Sequence, residues 1–137
     1  MNTSQSQFPF HIFRAYDIRG KVESMSPDLI QGIAYALAQH YKQAGQKQIS
    51  LGYDARLSSP GYADLMCQVL SQEGLSVVDV GCCSTPQLYF AARKTQGNGI
   101  MVTASHNPKT DNGIKWHIQS EPPSPEMIQS IGVETAQ

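Results

Sequence analysis

Ser105, His106, Asn107 and Lys115 bring a hydroxyl, an imidazole, an amide and an amine into one short stretch. That set of groups suits phosphoryl chemistry: a serine oxygen can carry the group, while cationic donors follow the charge that develops as it moves. Gly99-Ile100-Met101-Val102-Thr103 reads as a short buried strand, and Asn107-Pro108 forces a turn, so Ser105 falls at a strand end facing a cleft. A second strand restarts at Ile114. The loop between them is then a hairpin-like excursion that holds Ser105 near Lys115, ten positions further on. Neighbours on extended chain point to opposite sides, so His106 either faces the same group as Ser105 or only braces the loop. A serine hydrolase is the poorer reading, because Ala104-Ser105-His106 lacks the flanking glycines of a nucleophile elbow and the adjacent imidazole has no room to reach the serine oxygen.

Two other segments carry chemistry. Phe13-Arg14-Ala15-Tyr16-Asp17-Ile18-Arg19-Gly20 packs two arginines and a tyrosine into a turn-terminated clamp, since guanidinium forks match phosphate oxygens bidentately. The arginines alternate poorly for one shared target. Arg19 is the expected ligand, leaving Arg14 to pair with Asp17 or another acid. In Gly52-Tyr53-Asp54-Ala55-Arg56-Leu57-Ser58-Ser59 a strand gives way to a helix cap, where Asp54 and Arg56 can pair and the cap's free N–H groups face the cleft. His11, His40 and His117 have no neighbours at metal-ligand spacing and belong on surface or strand positions.

The elements that must position these groups follow from punctuation and periodicity. Ser26-Pro27, Ser59-Pro60, Thr85-Pro86 and Ser124-Pro125 each offer a capping hydroxyl followed by a proline suited to the first helical position, which predicts four helices. After Pro27, Leu29, Ile30, Ile33, Ala34, Leu37, Ala38 and Tyr41 recur at helical spacing up to Gly45; Ala63, Met66, Val69 and Leu70 do so up to Gly74. Between them lie β-rich runs at Ile49 to Tyr53 and Val77 to Val80. The β-α-β-α-β alternation predicts an α/β fold, a three-layer α/β/α arrangement with a mixed, mostly parallel sheet that binds ligands beyond the carboxyl ends of its strands. Trp116 and the Leu88-Tyr89-Phe90 group are expected in the core. Glu121 to Pro125 reads as a stiff link to a short last helix.

With 137 residues, 40% of them hydrophobic, the chain is one ordinary domain spanning 1–137. Ten basic against eleven acidic residues leave none of the cationic excess of a nucleic-acid binder, so any phosphate recognition is local. Met1 to Phe10 has neither a basic segment nor an apolar run, which argues against a signal peptide, and no stretch approaches membrane-spanning length. Cys67, Cys82 and Cys83 form an odd set without metal spacing; the adjacent pair is poor geometry for a disulfide, and a reducing cytoplasm fits best.

These segments together resemble the α-D-phosphohexomutase family, the phosphomannomutase/phosphoglucomutase group in particular. Phe13 to Gly20 is similar to its FRxYDIRG signature, Gly52 to Ser59 to its GxDxRxSS loop, Thr103 to Pro108 to its TASHNP serine loop, and Asn112 to Lys115 to the NGxK that follows. Four segments in the right order cover nearly the whole chain. Tyr53 stands where relatives often carry arginine, and Asp111 to Ile114 is also similar to the phosphoglucosamine mutase branch, so the motifs do not single out mannose, glucose or an amino sugar.

The resemblance implies the first, serine-bearing domain of a mutase that moves a phosphoryl group between the 1- and 6-positions of a hexose phosphate through a bisphosphate. Ser105 would be the phosphoserine, Lys115 and His106 would flank its phosphoryl group, and Arg19 would contact it or assist proton transfer. Tyr16, Arg14 and Asn107 would line the substrate site. A phosphate oxygen on Ser105 would enter the shell of a Mg²⁺ ion, and a sugar bisphosphate would serve as activator. In the family the other metal ligands come from a D-x-D-x-D loop of a second domain, and no such triplet occurs among Asp17, Asp28, Asp54, Asp64, Asp79 and Asp111. The expectation is therefore a chain without turnover of its own, whose partners are a hexose phosphate and further domains of the same enzyme, with no nucleic acid or membrane. The competing reading is a stand-alone phosphosugar-binding or regulatory module.

Overall fold

The computed structural model describes residues 8–137. Residues 1–7, most of the stretch whose composition argues against a signal peptide, lie outside the described residues. Each hydroxyl–proline pair does open a helix: α1 (Pro27–Gln43), α2 (Ser59–Gln72), α3 (Thr85–Ala91) and α4 (Pro125–Ala136). Ser26 and Ser124 cap as expected, accepting from Leu29 N at 3.2 Å and Met127 N at 3.1 Å. At the other two helices the cap lies one residue earlier. Ser84, not Thr85, forms a reciprocal capping box with Gln87, because a glutamine three residues on can return the bond to the cap's own N–H. Ser58 precedes α2, which frees the Ser59 hydroxyl for another partner. Gly45 and Gly74, both at positive φ, close α1 and α2.

The five strands are β1 (Ile18–Lys21), β2 (Gln48–Tyr53), β3 (Ser76–Cys82), β4 (Gly99–Val102) and β5 (Asp111–His117), in the sheet order β1-β5-β4-β2-β3. β3, β2 and β4 are mutually parallel, β5 is antiparallel to β4, and β1 is antiparallel to β5. Only β5 therefore runs against the rest, giving the mixed, mostly parallel sheet predicted.

Alternation along the strands builds the layers. Ile49, Leu51, Ile100, Val102, Ile114 and Trp116 point to one face and join the main core with α1, α2 and α4. On the other face α3 lays the fully buried Leu88 against Gly52 and Gly99, completing an α/β/α sandwich. Trp116 is core, as expected. Phe90 is not: it is 69% exposed, with Arg93 5.2 Å over its ring, because it lies two positions from Leu88 and so turns to the far side of α3. Tyr89 stacks on His117 at 3.8 Å between ring centres.

Two strand boundaries differ from the sequence reading. Ile18–Lys21, expected as part of a loop clamp, is an edge strand, and β5 begins at Asp111 instead of Ile114. The two extensions are each other's partner, Lys21 opposite Asp111 and Arg19 opposite Gly113. Neither shows apolar alternation, so only their mutual pairing makes them strands.

Candidate functional site

Because β2 and β4 are parallel neighbours, their exit loops leave the same end of the sheet, the usual place for a ligand in such folds. Asp54 N donates to Val102 O at 3.1 Å and locks the two exits side by side. The β4–β5 loop, residues 103–110, carries Ser105 exposed at its tip, with a left-handed φ of 54°. Its N–H donates to Thr103 Oγ1 at 3.0 Å. Lys115 Nζ donates to Ser105 Oγ at 3.1 Å. Lys115 is half-buried on β5, an interior strand, and alternation turns it away from the Ile114 and Trp116 core face toward the serine loop. His106 is exposed beside Ser105, and no hydrogen bond among the described residues braces its ring.

In the FRAYDIRG segment the pairing with Asp17 differs from that expected. Arg19, not Arg14, pairs with Asp17, through Nη2 at 2.6 Å and Nε at 3.2 Å, and Nη1 reaches Asn107 Oδ1 at 3.0 Å. The cause is β1: pairing with β5 puts Arg19 beside the serine loop, two residues along from Asp17 on the same side. Asp17 is buried, and its backbone oxygen accepts from Arg14 N at 2.9 Å, while the Arg14 side chain is exposed. Tyr16 is 85% exposed. Ser105, Lys115, Arg19 and Asn107 are thus drawn together, whereas the exposed side chains of Arg14 and Tyr16 make no hydrogen bond to them among the described residues.

Arg56 does more than the expected pairing with Asp54. Besides Nε to Asp54 Oδ2 at 3.1 Å, its Nη1 donates to Pro108 O (2.6 Å) and Asp111 O (3.1 Å), and its Nη2 to Ser105 O and Asn107 O (2.9 Å each). Asp54 in turn accepts from Ser59 Oγ at 2.6 Å, Thr103 Oγ1 at 2.7 Å and Arg56 N at 3.1 Å. Buried Asn112 donates to Ser58 Oγ at 2.7 Å and Ser59 Oγ at 3.0 Å, and its Oδ1 accepts from Gly113 N at 2.8 Å. A polar network therefore ties the β2 exit, the α2 cap, the serine loop and β5 into one unit. The sequence carried half of this signal: Asp54-x-Arg56 at a strand end announces a braced loop, but not which loop it braces. A cleft of about 590 Å³ opens beside the network, lined by Asp54, Ala55, Arg56, Leu57, Asn107 and Lys109.

Burial alone would raise the Asp54 pKa, but the Ser59 and Thr103 hydroxyls, the Arg56 N–H and the Arg56 charge together hold it below the usual carboxylate range. A depressed pKa stabilises the fold above the unfolded-state value and is lost as pH falls through the folded one. The charged groups about Asp54 are Arg56, from its own loop, and Lys109, from the serine loop across the cleft. The serine loop should accordingly keep its order from neutral pH to about 4 and lose it below that. Backbone amide spectra recorded down a pH series would check this, the loop resonances shifting together with the Asp54 carboxyl.

Among the described residues no group of three or more His, Cys, Asp or Glu could hold a metal ion. Near the serine, Asp17 and Asp54 are committed to arginines, and Asp111 accepts from Asn107 Nδ2 at 2.9 Å. The side chains present do not form a magnesium site by themselves. None of the helices described is long and apolar enough to cross a membrane.

Comparison with known proteins shows the family. Residues 11–136 match the family model described as phosphoglucomutase/phosphomannomutase, alpha/beta/alpha domain I. The chain is 40% identical over 122 residues to a phosphoglucomutase of Neisseria gonorrhoeae and 40% identical over 125 residues to a phosphomannomutase/phosphoglucomutase of Pseudomonas syringae pv. tomato. Those alignments cover 88% and 90% of this chain but 26% and 27% of the relatives, so the chain spans about a quarter of their length. A crystal structure of a phosphoglucomutase/phosphomannomutase family protein from Burkholderia thailandensis superposes with a TM-score of 0.87 at 30% identity, covering 93% of this chain and 30% of that one. The chain belongs to the phosphoglucomutase/phosphomannomutase family, and what it comprises is the α/β/α domain I.

Proposed function

We propose that this chain is the serine-bearing domain of a phosphohexomutase, in which Ser105 carries a phosphoryl group and exchanges it with a hexose phosphate. The free hydroxyl of a hexose monophosphate attacks phosphorus, the bond from phosphorus to Ser105 Oγ breaks, and the proton of the sugar hydroxyl ends on the departing Ser105 Oγ. The resulting 1,6-bisphosphate turns over, and Ser105 Oγ takes the phosphoryl group from the other position. The single observation that carries the reading is the exposed Ser105 hydroxyl held at 3.1 Å by the Lys115 ammonium, which can steady charge on Oγ whenever that oxygen is attacking or leaving.

Arg19 spends three of the five N–H donors of a guanidinium on Asp17 and Asn107, which leaves two for a phosphoryl oxygen. Asn107 aims Arg19. His106 flanks the phosphoryl group, and the exposed Tyr16 and Arg14 meet the sugar phosphate. Magnesium would neutralise charge on the transferring group; a phosphoryl oxygen on Ser105 is the contact this domain would offer it, the other ligands coming from outside these residues. A cytoplasmic setting accompanies this reading, in keeping with free Cys67, Cys82 and Cys83.

Phosphoryl transfer depends on positioning and charge neutralisation. With the other metal ligands outside these residues, this chain alone is expected to accept a phosphoryl group only over hours, and to show no multiple turnover of glucose 1-phosphate or mannose 1-phosphate in an assay of minutes. Robust turnover would contradict the dependence on other domains. Calorimetric binding of a hexose phosphate without any phosphoryl uptake would favour a binding module instead.

A further inference from the structure

We propose that Arg56 is the positioning residue of the serine loop, one guanidinium that gathers three loop carbonyls and the first carbonyl of β5 and so fixes the left-handed turn presenting the Ser105 hydroxyl to Lys115. The proposal deepens the reading of Ser105 as a phosphoryl carrier and rests on it for its functional consequence. A guanidinium has five N–H donors in a rigid planar fork. In Arg56 all five are used, on Asp54 Oδ2 and on the carbonyl oxygens of Ser105, Asn107, Pro108 and Asp111. Arg56 is therefore saturated. It has no donor left for a substrate phosphate, and Asp54 offsets its charge, in contrast to Arg19 with two donors free.

What Arg56 holds is the part of the loop that needs holding. Ser105 sits at φ 54°, a conformation disfavoured for a residue with a Cβ, and such residues persist where the surroundings over-determine them. Arg56 Nη2 fastens the carbonyl of that same residue, and the other three carbonyls lie along the six residues that follow. Thr103 joins the same device from the other side, its hydroxyl donating to Asp54 while accepting from Ser105 N. A lysine could supply the charge but not the shape, since one ammonium has three donors at a single point and cannot span Asp54 and four carbonyls.

The test compares the 137-residue chain with Arg56→Lys and Arg56→Ala, following hydrogen exchange of the Ser105, Asn107 and Asp111 amides, each of which donates a hydrogen bond within the loop. Exchange there should quicken about 10-fold or more in both variants, with β2 and α1 unchanged. Adding methylguanidinium to Arg56→Ala should restore protection saturably, a response that general destabilisation would not give. Phosphoryl uptake at Ser105 from a hexose 1,6-bisphosphate should slow by about 100-fold in Arg56→Ala and recover with methylguanidinium. Should Arg56→Ala fail to fold, the lysine variant carries the comparison. Wild-type protection of the loop in either variant, or equal uptake in all three chains, would overturn the proposal. A wild-type chain that takes up no phosphoryl group while loop protection responds as described would sink the carrier reading and leave the positioning role standing.

Discussion

Ser105→Ala is expected to abolish phosphoryl uptake from a hexose 1,6-bisphosphate while leaving the domain folded. The side chain is exposed, and its oxygen contacts only Lys115 Nζ among the described residues. An exposed lysine–hydroxyl bond contributes little, so the melting temperature should move by no more than a few degrees. Ser105→Gly separates the two properties more sharply. Glycine adopts the left-handed φ without the Cβ penalty, and the variant should gain roughly 0.5–1 kcal/mol over wild type while being equally unable to take up phosphate. A serine kept at a position where glycine would be more comfortable is then a cost in stability accepted for its oxygen. Wild-type uptake by Ser105→Ala, followed by intact mass, would place the acceptor elsewhere.

Gly113→Ala is expected to have the largest effect on stability. A Cβ at this position would collide with the Ile18 carbonyl oxygen and come within 2.9 Å of Thr103 O, and both obstacles are backbone that cannot swing aside. Gly113 lies where three parts of the site converge: opposite Arg19 in the β1–β5 register, bonded through its carbonyl to Thr103 N at 2.9 Å, and bonded through its N–H to Asn112. Accommodating a methyl group must push β1 outward, taking Arg19 away from Asn107, or lift Thr103, which anchors Ser105. The loss should be about 3 kcal/mol by urea denaturation with an unchanged m value. Phosphoryl uptake should fall even under conditions where the variant is folded. A cost below about 1 kcal/mol would show that β1 and β5 can separate freely, contrary to the shared register.

The sequence made the scaffold legible because its signals are local. Hydroxyl–proline starts, glycine stops and helical spacing after Pro27 and Pro60 place the helices, and the apolar runs at Ile49 and Gly99 mark the strands that carry the two decisive loops. The serine and the Asp54–Arg56 pair were legible for the same reason, each sitting at a strand or loop boundary, and Lys115 through its short distance along the chain from the serine. The misread parts depend on distant partners. Ile18–Lys21 becomes a strand only because Asp111–Ile114 lies opposite, and that pairing sends Arg19 to Asp17. The reach of Arg56 across some fifty positions to Ser105, Asn107, Pro108 and Asp111 has no sequence periodicity at all. Ser84 displaced Thr85 as a cap through Gln87, a signal that was present and that the proline after Thr85 outweighed.

Most directly at stake is where a phosphoryl group comes to rest. The wild-type chain, incubated for hours with a hexose 1,6-bisphosphate and magnesium and then digested for peptide mass mapping, should carry one phosphoryl group, on Ser105. Phosphate on any other residue, or an unmodified Ser105 after such exposure, would contradict the account.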